Sequence, residues 1–287
     1  MYHIIYNPTA RKGKSKKVLK QIEEFFDSEH VEYKLYKTDR KGCAEELANR
    51  LSASEENILV AVGGDGTIHE VLNGLQDPKK TKLCLIPAGT GNDFCAAAGI
   101  GLDVKKTLQI LLHGEAKETD YIEAFGRRCM NAGGLGMDVD VLERCARGSL
   151  NGKIKYLVSF IQSVILFRGY KVRIKINGEE FEENALFAQA CNGHRIGGGI
   201  VVCPGAKIDD GKLEVVAVPR LGFFALIATF IAVMQGKIFS RPEAKHFYGE
   251  EVEIIPDVPR CVQLDGEIYQ NCTSFKAKIC HGLRIYR

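Results

Sequence analysis

The stretch "VAVGGDGTIHE", Val60 to Glu70, decides the fold. An apolar run suited to a buried strand stops at two glycines, an aspartate and a third glycine, and a threonine then opens a segment with helical spacing. Strand, glycine loop and helix in that order make one unit of a parallel sheet, where each strand needs a covering crossover before the next. The backbone N–H groups of such a loop, with the positive end of the helix behind it, form a seat for an anion. Asp65 is the anomaly in that seat. Beside a phosphate it calls for an intervening cation, or for a reacting hydroxyl that gives it a proton or hydrogen bond, and Mg²⁺-dependent phosphoryl transfer supplies both.

Outward from this stretch the same alternation repeats. His3 to Tyr6 reads as a strand, followed by a helix with Val18, Leu19, Ile22, Phe25 and Phe26 on one face. Tyr33 to Tyr36 precedes a helix carrying Ala44, Leu47, Ala48 and Leu51; Ile58 to Val62 precedes a helix from Ile68; Leu83 to Ile86 precedes one from Phe94. The order predicts a parallel sheet covered on both faces, with ligands beyond the carboxyl ends of its strands. After Gly114 the texture turns to alternating strands and tight turns, as in "KVRIKINGEEFEE" with its Asn177-Gly178 hairpin signal. The chain is therefore expected to be α/β: residues 1–115 a parallel-sheet nucleotide-binding domain, residues 116–287 an antiparallel β-sandwich-like domain. Helices interrupt the second part near Ile154 to Phe167 and Phe223 to Met234.

Bulk properties narrow the function classes. At 287 residues the chain suits two cores, and 45% hydrophobic with 26% charged residues is ordinary for a globular protein. A net charge of +3, without a block of like charges, argues against nucleic acid as a partner. The ten cysteines include no C-x-x-C pair and sit mostly in apolar runs, so they read as free thiols in a reducing compartment, placing the protein in the cytoplasm. The N-terminus lacks the pattern of a secretory signal. Leu221 to Met234, "LGFFALIATFIAVM", is too short to span a bilayer. It is expected to be a buried helix, the alternative being a surface helix that dips into a membrane interface. Strand edges in the second part leave room for a homodimer.

Three loops at the carboxyl edge of the first sheet carry the chemistry: "NPTARKGKS", "GGDGT" and "PAGTGND". The first is not a P-loop, since Pro8 stands where G-x-x-x-x-G-K-[ST] needs glycine. Lys12 is either a solvated loop charge or a counter-charge for phosphate. In the second loop, Thr67 and Glu70 have the spacing of a capping box, and His69 reads as a solvated first-turn residue. In the third, Asn92 and Asp93 are expected to cap the next helix, with Asp93 converging on Asp65 as the functional alternative.

With "NPTARKGKS", "VGGDGTIHEVLNGL" and "IPAGTGNDFCAAAGI" in this order, the chain resembles the diacylglycerol kinase catalytic-domain family, in particular bacterial soluble lipid kinases. The likeness continues through "NAGGLGMDVDV", "NGHRIGGGIVVCPGAKIDDGKLEVV" and "VQLDGE". It implies a nucleotide site between the two domains, with ATP held by Asn7, Pro8, Thr9, Ala10, Arg11, Thr38, Gly64, Asp65, Gly66, Thr67, Ile68, His69, Glu70 and Thr90. Lys12, Asp65 and Asp93 would complete a polar centre around phosphate and Mg²⁺. The loop reads Ala10-Arg11-Lys12 where family members often have Ser-Gly-Lys. Glu267 matches the family's proton acceptor for the lipid hydroxyl, although Asp65 competes for that role and Asp265-Gly266 reads as a simple hairpin turn. Lys207, Asp210 and Lys212 match a structural Mg²⁺ site in the second domain, the alternative being a metal-free turn.

The resemblance implies a kinase that passes the γ-phosphoryl of ATP to a lipid hydroxyl, diacylglycerol first, with the protein docked peripherally on a membrane. Two alternatives stand beside it: an NAD kinase-like phosphotransferase, since NAD kinases share GGDGT, and a lipid- or nucleotide-binding regulator without turnover.

Overall fold

A computed structural model describes residues 1–13, 15–54, 57–147, 162–163 and 167–287. The helix expected near Ile154 to Phe167 falls largely outside the described residues.

The first half follows the alternation of its sequence: β1 (Tyr2–Tyr6), a 3-10 turn (Ala10–Gly13), α1 (Ser15–Ser28), β2 (Tyr33–Lys37), α2 (Cys43–Leu51), β3 (Ile58–Gly63), α3 (Asp65–Gly74), β4 (Lys82–Pro87), α4 (Asp93–Ala97) and α5 (Val104–His113). The four strands run parallel in the order β2-β1-β3-β4. Apolar spacing assigns the helices to faces. Leu19, Ile22 and Phe26 of α1 pack with Val104, Leu108 and Leu111 of α5 over Ile4, Val60 and Cys84. On the other face Ala44 and Ala48 of α2 and Val71 and Leu72 of α3 cover Ile5, Leu59 and Leu85. Both faces of these strands are thus buried, as near-continuous apolar runs require.

The second half contains β5 (Ala116–Ala124), β6 (Arg127–Cys129), β7 (Ala132–Gly136), α6 (Met137–Arg147), β8 (Tyr170–Ile176), β9 (Glu179–Cys191), β10 (Arg195–Ile196), β11 (Ile200–Val201), β12 (Leu213–Pro219), α7 (Phe223–Met234), β13 (Lys245–Gly249), β14 (Glu251–Pro256), β15 (Arg260–Leu264), β16 (Glu267–Cys272) and β17 (Phe275–Tyr286). Pairing within it is antiparallel, and the alternating Val172, Ile174 and Ile176 of β8 face a core with Val215, Val252, Ile254 and Phe275. Asn177-Gly178 turns β8 into β9 with φ of 53° and 79°, the left-handed pair that a two-residue hairpin needs. The architecture is the expected one, a parallel α/β sheet followed by an antiparallel sandwich-like unit.

The last strand joins the two halves. Residues 275–278 of β17 pair antiparallel with β14, whereas Arg284, Ile285 and Tyr286 pair parallel with β4; β5 lines the other edge of β17. The register shifts between Cys280 and Leu283, where Gly282 takes φ of 91° and lets the strand turn from one sheet into the other. The parallel sheet and the sandwich therefore share a continuous ladder, and the loops of the first face the turns of the second.

One expectation fails here. Leu221 to Met234 forms a helix, but not a buried one: only Thr229 and Ala232 of α7 are buried, while Phe223 is 65% and Phe224 85% exposed. The helix lies on the outside of the sandwich, over Leu186, Val202, Val216 and Val218, so its inner face meets protein and its outer face is uncovered among the described residues. No described helix is long and apolar enough to cross a membrane.

Candidate functional site

The strand order places a ligand crevice before any side chain is considered. From β1 the chain goes to one side to make β2 and to the other to make β3, and the crevice beyond the carboxyl ends of β1 and β3 is where open parallel sheets bind ligands. The loops after these two strands bound it and are tied together: Asn7 Nδ2 donates to Thr67 Oγ1 at 3.1 Å, and Asn7 Oδ1 accepts from Thr9 N and Thr9 Oγ1 at 3.0 and 2.8 Å. Arg11 holds φ of 49°, a conformation that glycine takes without cost, so this position is glycine-like although an arginine occupies it. The loop after β4 closes in from the third side. A Cβ on Gly89 would run into Gly64 Cα, so the two glycines allow the loops to touch backbone to backbone.

The carboxylates near these loops are engaged across the fold rather than along the chain, which overturns the local capping readings. Helix α3 begins at Asp65 with Gly64 as its cap residue, so Thr67 already lies inside the first turn. Glu70 Oε2 accepts instead from Ala44 N at 3.1 Å, at the start of α2. Asn92 does not cap α4 through its side chain; its Oδ1 accepts from Gly89 N at 2.9 Å and braces the loop. The start of α4 is served by Asp65, whose Oδ2 accepts from Asn92 N at 2.7 Å and whose Oδ1 accepts from Phe94 N at 3.4 Å. Asp65 thus has protein partners of its own and does not depend on a ligand for them.

Asp65 and Asp93 nevertheless converge. They line one cavity of about 230 Å³ with Gly91, Asn131, Gly198 and Asp265, at the seam between the two halves. Burial, then the negative charge of Asp93, raises the Asp65 pKa against the two backbone amides that lower it. Asp93 Oδ2 accepts from Gly198 N at 2.7 Å, while its buried Oδ1 has no hydrogen-bond donor and lies 3.9 Å from Arg195 Nε. Asn131 Oδ1 is a second buried acceptor without a donor. The cavity thus brings together these two carboxylates, one of them facing Arg195, and the donor-free Asn131 Oδ1.

Asp265 and His69 form the floor of that seam. The Asp265-Gly266 turn has φ of 48° and 89°, as a tight hairpin requires, but the Asp265 side chain is turned inward rather than solvated. It accepts from Met130 N at 2.7 Å, Asn131 N at 2.9 Å and Ala132 N at 3.3 Å, and faces His69 Nδ1 at 3.5 Å. Burial acts to raise its pKa, yet the His69 hydrogen bond and charge, the Met130 amide and the Cys129 thiol outweigh it, leaving Asp265 below the ordinary carboxylate value. His69 is buried against this aspartate, not solvated.

A larger cleft of about 450 Å³ adjoins the carboxylate cavity. It brings together Asn7, Thr9, Ala10, Arg11, Thr38, Gly64, Gly66, Thr67 and Glu70 from the parallel half with Glu267 from β16. Glu267 Oε2 accepts from Lys41 Nζ at 2.6 Å, and this bond raises the Lys41 pKa. The predicted residues do not all meet. Ile68 is buried in the core beneath the sheet, Pro8 offers its carbonyl to Ser15 Oγ, and Thr90 is exposed at the loop tip and lines neither cavity. Lys12 lies in the 3-10 turn, and its side chain is outside the described residues. A bigger groove of about 610 Å³ around Lys175, Asn177, Tyr248 and Glu253 holds none of the loop residues, so convergence of polar groups marks the site better than size.

The Lys207 to Lys212 loop is exposed at Lys207, Asp210 and Lys212, and Asp210 Oδ1 accepts from Lys212 N at 3.2 Å, closing a turn. Asp120, which the sequence does not single out, holds this loop by accepting from Gly211 N at 2.8 Å and faces His281 Nδ1 at 2.8 Å. Among the described residues no group of three or more His, Cys, Asp or Glu side chains is placed to hold a metal by itself. Asn131 and Arg195 are likewise not singled out by the sequence, and Asp265 is read there only as part of a hairpin turn. The inward turn of Asp265 leaves no local signature, because its partners are backbone amides in the distant connection from β6 into β7.

Comparison with known proteins agrees with this fold. Residues 1–124 match the family described as the diacylglycerol kinase catalytic domain, and residues 133–282 the YegS C-terminal NAD kinase beta sandwich-like domain. Proteins called diacylglycerol kinase from Staphylococcus epidermidis and Staphylococcus saprophyticus are 28% and 26% identical over 267 residues, spanning 92% of this chain and 84% and 88% of theirs. A crystal structure of a diacylglycerol kinase from Bacillus anthracis, 24% identical, superposes with a TM-score of 0.80 over 99% of this chain and 96% of that one, which shows a common fold.

Proposed function

Because the chain belongs to the diacylglycerol kinase catalytic-domain family, we propose that it is an ATP- and Mg²⁺-dependent lipid kinase that transfers the γ-phosphoryl of ATP to a lipid hydroxyl, turning diacylglycerol into phosphatidic acid. The observation that carries this reading is the cleft in which the loops after β1 and β3 meet Glu267 of the sandwich. ATP lies along Asn7 to Arg11, Thr38 and Gly64 to Thr67, with its phosphates toward the amides at the start of α3. Lys12 and Arg11 supply positive charge from the first loop.

Asp65 and Asp93 are the residues that fit Mg²⁺, given the donor-free Asp93 Oδ1 and the charge that each imposes on the other. When bound, the ion neutralises charge on the transferred group. The Asp210 loop fits a cation poorly, since Asp210 is already engaged by an amide and the adjacent Asp209 by Arg287, and no step passes through it.

In the transfer, the acceptor oxygen bonds to the γ-phosphorus as the bond to the β–γ bridging oxygen breaks, leaving ADP, and the hydroxyl proton passes to a carboxylate. Glu267 is assigned that proton. Asp65 and Asp93 are held by the backbone N–H groups of Asn92, Phe94 and Gly198 in the neighbouring cavity, whereas Glu267 reaches into the nucleotide cleft itself, beside Lys41. Asp65 and Asp93 hold charge and position instead, so the rate rests on positioning and electrostatics, as phosphoryl transfer generally does.

The test is transfer of label from γ-labelled ATP to diacylglycerol in mixed micelles and, in parallel, to NAD, using the wild type and Asp65→Asn. Labelled lipid with the wild type and its loss in the variant is expected. Labelled NAD without labelled lipid would make the sandwich's NAD kinase-like description functional rather than architectural. Label in neither acceptor, with nucleotide still bound, would make the protein a regulator.

A further inference from the structure

Helix α7 is apolar on all sides: of its twelve residues, "FFALIATFIAVM", only Thr229 carries a polar side chain. Such a helix belongs inside a protein core or against lipid. Among the described residues the sandwich covers one side, and Phe223, Phe224, Ile227, Ile231 and Met234 stand exposed at helical spacing on the other. An uninterrupted apolar face of this kind marks a docking surface.

The inner face shows what docks. Between α7 and the sandwich runs a narrow, almost wholly apolar cavity of about 110 Å³, lined by Leu226, Phe230 and Val233 of the helix and by Leu186, Ile196 and Val202 beneath it. Ile196 also lines the cavity of Asp65 and Asp93, so the apolar slot abuts the carboxylates. Gln189, at the slot wall, accepts from Gln263 Nε2 at 3.0 Å, and Gln263 lines the carboxylate cavity on the far side. An apolar cavity and an acidic one, with Ile196 as a common wall, match a molecule with an acyl chain and a hydroxyl head.

Charge around the helix agrees. Arg220 and Lys237 flank the helix with no acidic residue between them, while Arg241 is paired with Glu243 at 2.9 Å. Arg220 and Lys237 are exposed at the two ends of α7, where a bilayer surface carrying anionic headgroups attracts them. Twelve residues rise roughly 18 Å, too little to span a bilayer and suited to lying in its interface.

We propose that α7 lies in the membrane interface with its outer face among the acyl chains, and that the slot under its inner face takes one acyl chain of the acceptor, delivering its hydroxyl to the cavity of Asp65 and Asp93. The acceptor half of this rests on the lipid-kinase reading; the membrane half does not.

The chain has no tryptophan, so Phe224→Trp is a single fluorescent reporter. Titrated with vesicles of phosphatidylcholine and phosphatidylglycerol, its emission should shift to the blue and be quenched when the acyl chains are brominated, and Phe224→Ser should weaken vesicle binding about tenfold. Emission that stays unshifted with vesicles overturns the docking, above all if sedimentation shows the face buried in a dimer of two copies. For the slot, Val233→Phe should raise the KM for long-chain diacylglycerol about tenfold while leaving a short-chain, water-soluble one near wild type. Leu226→Ala, which widens the slot, should move the preference toward bulkier chains. Equal effects of both substitutions on short and long acceptors would overturn the slot. Absence of transfer to any lipid would instead defeat the kinase reading, and the vesicle result would still decide the docking.

Discussion

Replacing Asp265 by asparagine probes the seam on which the site is built. Its two oxygens accept from the amides of Met130, Asn131 and Ala132 at 2.7, 2.9 and 3.3 Å, and Oδ2 also faces His69. Asparagine keeps the shape but one acceptor oxygen only; its NH₂ group would confront a backbone N–H, donor against donor. At least one hydrogen bond to a charged acceptor is lost and a buried amide is left without a partner, a cost of ~1.5–3 kcal/mol. The urea midpoint should fall accordingly. The same side chain fixes the turn that carries Glu267, so transfer should slow by about tenfold or more even where the variant is fully folded, as displacement of a positioned group does. The pH dependence has a definite sign. Asp265 has a folded pKa below its ordinary 3.8, so in the window between the two values the unfolded chain binds more protons and stability rises with pH. Its contribution is complete above the unfolded value and is lost as pH falls through the folded one. The gap in urea midpoint between wild type and Asp265→Asn should therefore be flat near neutrality and close under strongly acid conditions. A variant with the wild-type midpoint and rate would show that the three amides do not depend on this carboxylate, and the account of the seam would fail.

Glu267→Gln should lower kcat by roughly 10²–10⁴-fold with nucleotide affinity near wild type, read from label transfer and a nucleotide titration; unchanged turnover would remove Glu267 from proton transfer. Asp93→Ala removes the acceptor of Gly198 N and half of the carboxylate pair, and should cut transfer roughly 10²–10³-fold while raising the Mg²⁺ concentration needed for half-maximal rate. Gly89→Ala forces a Cβ against Gly64 and should weaken nucleotide binding about tenfold, ~1.4 kcal/mol by calorimetry, whereas Gly222→Ala, where a Cβ meets nothing and φ is negative, should bind nucleotide as the wild type does.

The parallel half was legible because its signals are local. Each strand, glycine loop and helix occupies one short stretch, and the faces of α1 and α2 follow directly from the spacing of Leu19, Ile22, Phe26, Ala44 and Ala48. The partners of the carboxylates were not legible, because they lie far along the chain. Glu70 serves an amide 26 residues away, Asp65 one 27 away and Asp265 one 135 away. A pattern such as Thr67-x-x-Glu70 describes what a carboxylate can do within its own helix; it is silent about a neighbouring helix that brings an unserved N–H to the same point. That competition was decided by α2 packing against α3, a tertiary fact.

Helix α7 is a different kind of misreading. Its apolar spacing predicts a helix buried on all faces, but among the described residues the sandwich covers only the side of Leu226 and Val233, and the membrane interface proposed above would cover the other. Phe224 and Leu226 are two residues apart and equally apolar, yet one faces outward and the other lines the slot. A helix between a protein core and hydrocarbon needs apolar residues on both sides, so its composition matches that of a core helix, and only the structure shows which side the protein leaves uncovered. The flanking charges distinguish the cases. A core helix is not expected to have Arg220 and Lys237 exposed at its two ends with no acidic residue between them, whereas a helix held at an anionic surface is.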